Sequence, residues 1–168
     1  MINLSREARR KRRLIREGKR KIEHDVSTEL IVRISRVLTN DDRDFLKLYN
    51  GANKYIVMAW TDDTQEYRTS VETGFKSQYV MFNDEFVIHL DSHTRYLYIE
   101  LARGYSFRES GTSQGIVVMG RAKIRLPPPT SCGAFSGVVE LVGLNSDRCI
   151  VGKGALEYSM KLRRFMVL

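Results

Sequence analysis

The chain has 168 residues, 42% hydrophobic and 10% aromatic, with a net charge of +8 and two cysteines. That length holds one core of ordinary size and leaves little room for a second. The composition excludes a chain disordered throughout, and apolar runs such as Tyr55 to Trp60 and Ile116 to Met119 are too short to cross a bilayer.

The charge is unevenly placed. Ten Lys or Arg lie between Arg6 and Lys21, against three acidic residues between Met1 and His24, so the remainder is nearly neutral, with 18 basic and 17 acidic residues. The chain reads as a basic arm over 1–25 joined to a body over 26–168. In the arm, Leu4, Ala8, Ile15 and Ile22 recur near helical spacing, but the apolar stripe is thin. With Gly18 and dense like charge, it predicts disorder or a marginal helix that orders against an anionic partner. The arm lacks the apolar stretch of a secretory signal, so the expected location is the cytosol, a membrane face or the nucleus.

After Asp25 the sequence changes to short runs alternating apolar and polar residues, the period of half-buried strands. In chain order the predicted strands carry Leu30, Val32 and Ile34; Tyr55 to Trp60; Tyr67, Thr69 and Val71; Phe86, Ile88 and Leu90; Leu97, Ile99 and Leu101; Ala122, Ile124 and Leu126; Val139 and Leu141; and Leu156 to Leu162. Turn-rich segments separate these eight: Thr39 to Asp44, Asn50 to Asn53, Thr61 to Thr64, Asp91 to Thr94, Gly104 to Gly115, Pro127 to Gly137 and Asn145 to Gly154. No strand is followed by a helical pattern. The prediction is an all-β, eight-stranded antiparallel sandwich with Greek-key connections. Cys132 and Cys149, 17 positions apart without a CxxC spacing, fit neither a disulfide scaffold nor a zinc site and read as reduced, ordinary thiols.

Two strings narrow the kind of sandwich: Phe82-Asn83-Asp84-Glu85-Phe86, after a segment marked by Gly74, and Met119-Gly120-Arg121-Ala122-Lys123-Ile124-Arg125-Leu126. With Lys54-Tyr55-Ile56-Val57, Arg68-Thr69-Ser70-Val71 and the late Val151-Gly152-Lys153-Gly154, they stand in the order seen in C2 domains. From Glu29 to Phe165 the chain resembles the small plant C2-domain proteins of the calcium-dependent lipid-binding type. Phe82 takes the place of the aromatic in that family's W-N-E-x-F strand opening, and the Gly120 string is similar to its I-G-x-A-x-I-x-L strand.

The resemblance implies calcium-bridged binding to anionic phospholipid, which needs several carboxylates converging from two loops. The first loop offers Asp41, Asp42 and Asp44, but Asn53 stands where the family has its second aspartate. Between Leu101 and Gly115, where the family supplies a D-x-D, this chain has Arg103, Gly104, Tyr105, Arg108 and a single acid, Glu109. The calcium site reads as degenerate, with Asp42, Asp44 and Asn53 as residual candidates and a solvated turn as the preferred reading of the aspartates. No cofactor is expected.

Fixed positive charge can replace calcium. Arg9, Arg10, Lys11, Arg12, Arg13, Arg16, Lys19, Arg20 and Lys21 form a polybasic segment of the kind anionic leaflets attract. Phe45 and Tyr49 in the first loop, and Tyr105 and Phe107 in the third, either cap the core or insert shallowly into lipid. Arg121, Lys123 and Arg125 share one face of a strand, as the wet face of a sheet or as a phosphate-binding patch.

Other chemistries find less support. His89 and His93 fall at a strand end and its turn with no third ligand at a telling spacing, no nucleophile or phosphate-loop motif is present, and Asp84 and Glu85 point to opposite faces of a strand. The expectation is a non-enzymatic C2-like domain, cytoplasmic and peripheral at a membrane, the plasma membrane first, binding anionic phospholipid or a signalling protein in stress or defence. The alternative is a nucleic-acid-binding or nuclear-targeted protein, because a run like Arg9 to Arg13 serves either end.

Overall fold

The structure, a computed structural model, describes residues 25–39, 52–62, 65–75, 79–104 and 117–167. Nine strands lie among them: β1 (Val26–Thr39), β2 (Ala52–Trp60), β3 (Glu66–Arg68), β4 (Glu72–Phe75), β5 (Tyr79–Leu90), β6 (Tyr96–Gly104), β7 (Val117–Arg125), β8 (Ala134–Leu144) and β9 (Ile150–Met166). The described residues of 28–164 belong to one compact unit, and 25–27 and 165–167 to a second, in which Val167 N donates to Asp25 O at 3.0 Å.

The strand order is β3-β2-β6-β7-β8-β9-β1-β5, with β4 also on β2. β3 pairs with β2 through Met58 to Trp60, and β4 through Ala52 to Tyr55, so they are two pieces of one edge strand. The predicted strand through Tyr67, Thr69 and Val71 is thus broken at its centre. Thr69 still donates its N–H to Val57 O at 2.9 Å, but its Oγ1 accepts from Val57 N at 3.0 Å in place of a backbone carbonyl. The next residue turns away: Ser70 N and Oγ donate to Asp84 Oδ2 at 2.6 and 3.1 Å.

Counting β3 and β4 together, eight strand positions form two four-stranded layers, β3/β4-β2-β6-β7 and β8-β9-β1-β5, joined by the single bridge Arg121↔Val142. β2, β3/β4 and β5 follow one another, and β6 returns to lie beside β2, which is a Greek key. The alternation predicts which side chains turn inward. Leu30, Val32, Ile34, Phe82, Phe86, Ile88, Leu156 and Leu162 of one layer face Tyr55, Val57, Leu97, Ile99, Leu101, Ala122 and Ile124 of the other in one apolar core. Each large aliphatic side chain so buried is worth about 1.5–3 kcal/mol.

The Phe82 string owes its pattern to an irregularity. The register of β1 on β5 shifts between Ile34 and Arg36, and Asn83, facing that shift, takes φ 53°, a conformation asparagine tolerates. Phe82 and Phe86 are buried on either side of it.

Several strands outrun the alternation. β1 continues to Thr39 and β2 begins at Ala52, so Thr39 and Asn53 are strand residues; β6 takes in Arg103 and Gly104; β8 begins at Ala134 and β9 at Ile150. The segment from Asn145 to Gly154, read as a turn, is a turn only over 145–149.

Candidate functional site

One end of the sandwich gathers the connections that carry the first-loop and third-loop residues. There Leu38 pairs with Tyr79, Ala52 with Phe75, and Lys54 with Gly104, so the strand ends that flank 40–51, 76–78 and 105–116 fall at this end of the sheets. The β8–β9 hairpin reaches the same end, since a Cβ on Gly154 would meet Leu38 O and lie 3.3 Å from Thr39 Cα. Thr28 pairs with Leu90 at the other end.

Arg9, Arg10, Lys11, Arg12, Arg13, Arg16, Lys19, Arg20 and Lys21 of the arm, Asp42, Asp44, Phe45 and Tyr49 of the first loop, and Tyr105 and Phe107 of the third lie outside the described residues. Asn53 is described in its backbone, paired with Gly74.

The interior beneath these loops is polar. Arg103 lies opposite Tyr55 and is only 2% exposed, while the Thr39 and Tyr55 hydroxyls are buried without a hydrogen-bond partner among the described residues. Arg103 therefore stands inside the sheet at the mouth of the third loop, rather than in the loop itself. A buried guanidinium keeps its charge at any physiological pH, so this position supplies a cation where calcium binding needs anionic oxygen. Among the described residues no three of His, Cys, Asp and Glu converge.

The stripe on β7 is resolved cation by cation. Arg121 Nε donates to Glu100 Oε2 at 2.8 Å. Lys123 Nζ sits 3.9 Å from the centre of the Tyr96 ring and 5.8 Å from that of Tyr98, within cation–π range. Arg125, opposite Tyr96, is exposed and has no ion pair among the described residues. The stripe is thus one member of a mixed face: Trp60 of β2 stacks on Tyr98 of β6 with ring centres 6.0 Å apart and planes at 18°. Partial burial and the nearby Asp62 carboxylate push the Tyr98 hydroxyl above its ordinary pKa of 10.0. The signal for this aromatic row lies in the residues between the inward ones, Tyr96 and Tyr98 flanking Leu97, whereas the apolar alternation marks only the inward side.

At the opposite end a cleft of roughly 330 Å³ is lined by Thr61, Gln65, Tyr67, Ile88, His89, Leu90 and Asp91. Its polar groups are engaged in structure. Asp91 Oδ1 accepts from His93 N, Thr94 N and Thr94 Oγ1 at 2.7, 2.9 and 3.0 Å. Tyr67 donates to Gln65 Oε1 at 3.2 Å, and His89 Nδ1 lies 3.6 Å from Glu29. Cys132 and Cys149 are both exposed free thiols.

The two layers and the Greek key define a C2-like sandwich by fold. Solved structures agree. A C2 domain of plant extended synaptotagmin 1, its domain A, is matched over 83% of this chain and 96% of its own, with a TM-score of 0.61 and 16% identity. The C2 domain-containing protein of a putative elicitor-responsive gene is matched over 80% of this chain and 88% of its own, with a TM-score of 0.54 and 17% identity. A third C2 domain is matched over 80% and 97%, with a TM-score of 0.53 and 15% identity. These likenesses are of fold. No protein-family model matches the sequence, and no curated protein does.

Proposed function

We propose that this chain is a non-enzymatic C2 module that docks reversibly on anionic phospholipid, drawn by fixed positive charge and largely without calcium. The observation that carries the reading is the charge distribution. A C2-fold body with 18 basic and 17 acidic residues adjoins 24 residues holding ten cations and three acids. An anionic leaflet attracts each Lys or Arg near its surface by about 1 kcal/mol, so a segment of this charge suffices for reversible attachment. The burial of Arg103 at the mouth of the third loop supports independence from calcium. Phe45, Tyr49, Tyr105 and Phe107 add shallow insertion, and Lys123 and Arg125 offer a second contact for headgroup phosphates. The module works as a peripheral protein on the cytoplasmic face of a membrane, the plasma membrane first. Its fold neighbours include a C2 domain-containing protein from a putative elicitor-responsive gene, which suits a place in stress signalling.

Sedimentation of the full chain with phosphatidylcholine vesicles, with and without phosphatidylserine, in chelator and in calcium, tests the proposal. Binding to the anionic vesicles alone, equal in chelator and calcium and weakened by salt through screening, is the expected result. Binding that requires calcium contradicts it. Tighter, salt-sensitive binding to RNA than to any vesicle would move the arm to nucleic acid.

A further inference from the structure

Resting on the membrane-docking reading, we infer that the tip of the β8–β9 hairpin is a bilayer-inserting wedge, separate from the first-loop and third-loop aromatics. Leu144 of β8 and Ile150 of β9 are direct partners across the hairpin and share a face with Val142, two residues back on β8. All three are exposed, Leu144 to 58%, Ile150 to 75% and Val142 to 39%. Scattered surface apolar residues need no explanation, but these are grouped at the tip of a hairpin that projects at the loop end of the sandwich.

The turn between them is closed on itself. Asn145 Oδ1 accepts from Asp147 N at 3.0 Å and from Cys149 N at 2.8 Å, Asn145 N donates to Cys149 O at 3.0 Å, and Arg148 N donates to Asn145 O at 3.0 Å. Arg148 takes φ 59° to complete the turn. Four backbone N–H groups are therefore satisfied without water. This lowers the cost of bringing the hairpin against an apolar medium, where each unsatisfied group costs several kcal/mol.

Charge selects the occupant. Between Leu144 and Lys153 the hairpin carries Arg148 and Lys153 against Asp147, and the chain as a whole carries +8. An anionic bilayer attracts the net positive tip, whereas two copies of the tip offer each other no complementary charge. The hairpin thus lays the face of Val142, Leu144 and Ile150 against the acyl boundary, side-on, so that Arg148 and Lys153 stay at headgroup level.

The two thiols provide the test. Cys149 adjoins Ile150 at the tip, while Cys132 lies in the β7–β8 connection at the other end of the sandwich, and both are exposed. A polarity-sensitive fluorophore is attached to Cys149 in the full chain carrying Cys132→Ser, and to Cys132 in the chain carrying Cys149→Ser. Phosphatidylcholine–phosphatidylserine vesicles are then added, with and without lipid bearing a nitroxide high on the acyl chain.

The wedge predicts a blue shift and nitroxide quenching at Cys149 and neither at Cys132. It also predicts that Leu144→Ser with Ile150→Ser weakens binding about tenfold, as loss of buried apolar area requires, without lowering the unfolding midpoint. Vesicle binding with an unshifted Cys149 probe, or full binding by the double variant, overturns the wedge and leaves membrane docking standing. Absence of vesicle binding by the unmodified chain overturns both. A blue shift that grows with protein concentration before vesicles are added assigns the tip to self-association and overturns the wedge.

Discussion

Gly154 occupies a place no other residue can take. Its φ of 149° belongs to glycine alone, and a Cβ there would run into Leu38 O at the end of β1. The register of β8 on β9 shifts at this point, from Leu141↔Gly154 to Val142↔Gly152, so the glycine absorbs the irregularity that precedes the hairpin tip. Gly154→Ala is expected to lower stability by about 2 kcal/mol or more, read as an earlier midpoint in urea; an unchanged midpoint would show that the bend is not needed. Arg103 makes the same point for function. It reads in the sequence as a loop cation, yet it lies inside the sheet opposite Tyr55.

Among the elements, β1 and β9 are neighbours joined by an ion pair as well as by their backbones. Arg163 donates through Nε at 2.9 Å and Nη2 at 2.5 Å to Glu29 Oε2, and the Glu29 side chain is only 10% exposed. Removing the arginine strands a buried carboxylate, while removing both charges does not. Arg163→Ala should therefore cost more stability than Glu29→Gln with Arg163→Ala together, by about 1 kcal/mol, and equal losses in denaturant titrations would refute the pairing.

Strands with one apolar face were legible in the sequence. Leu30, Val32 and Ile34, Leu97, Ile99 and Leu101, and Ala122, Ile124 and Leu126 alternate as their burial does. β8 was only half visible, because Phe135, Val138, Val142 and Leu144 are exposed and leave Val139 and Leu141 as the whole inward signal. The break between β3 and β4 was hidden because a threonine hydroxyl and Asp84, a residue of the other layer, hold it. The three-cation stripe was legible as residues, but not its chemistry: Glu100 is 21 positions from Arg121 in sequence, and only the β6–β7 register brings them together.

On the scale of the whole molecule, the proposal divides attraction from shape. The body presents a C2 fold with almost balanced charge, and the first 24 residues hold seven of the eight net charges. At physiological salt the range of that charge is only about 8 Å, so the arm attracts a surface it nearly touches and contributes little at a distance. Docking by this route is graded by anionic lipid and by salt, and it needs no calcium signal. The measurement that tests it most directly is the affinity of the full chain for phosphatidylserine-containing vesicles in chelator, compared with that of the chain in which Arg9, Arg10, Lys11, Arg12 and Arg13 are replaced by Gln. At about 1 kcal/mol per cation, the replacement should weaken binding by about a hundredfold or more. Equal affinity of the two chains would contradict the account.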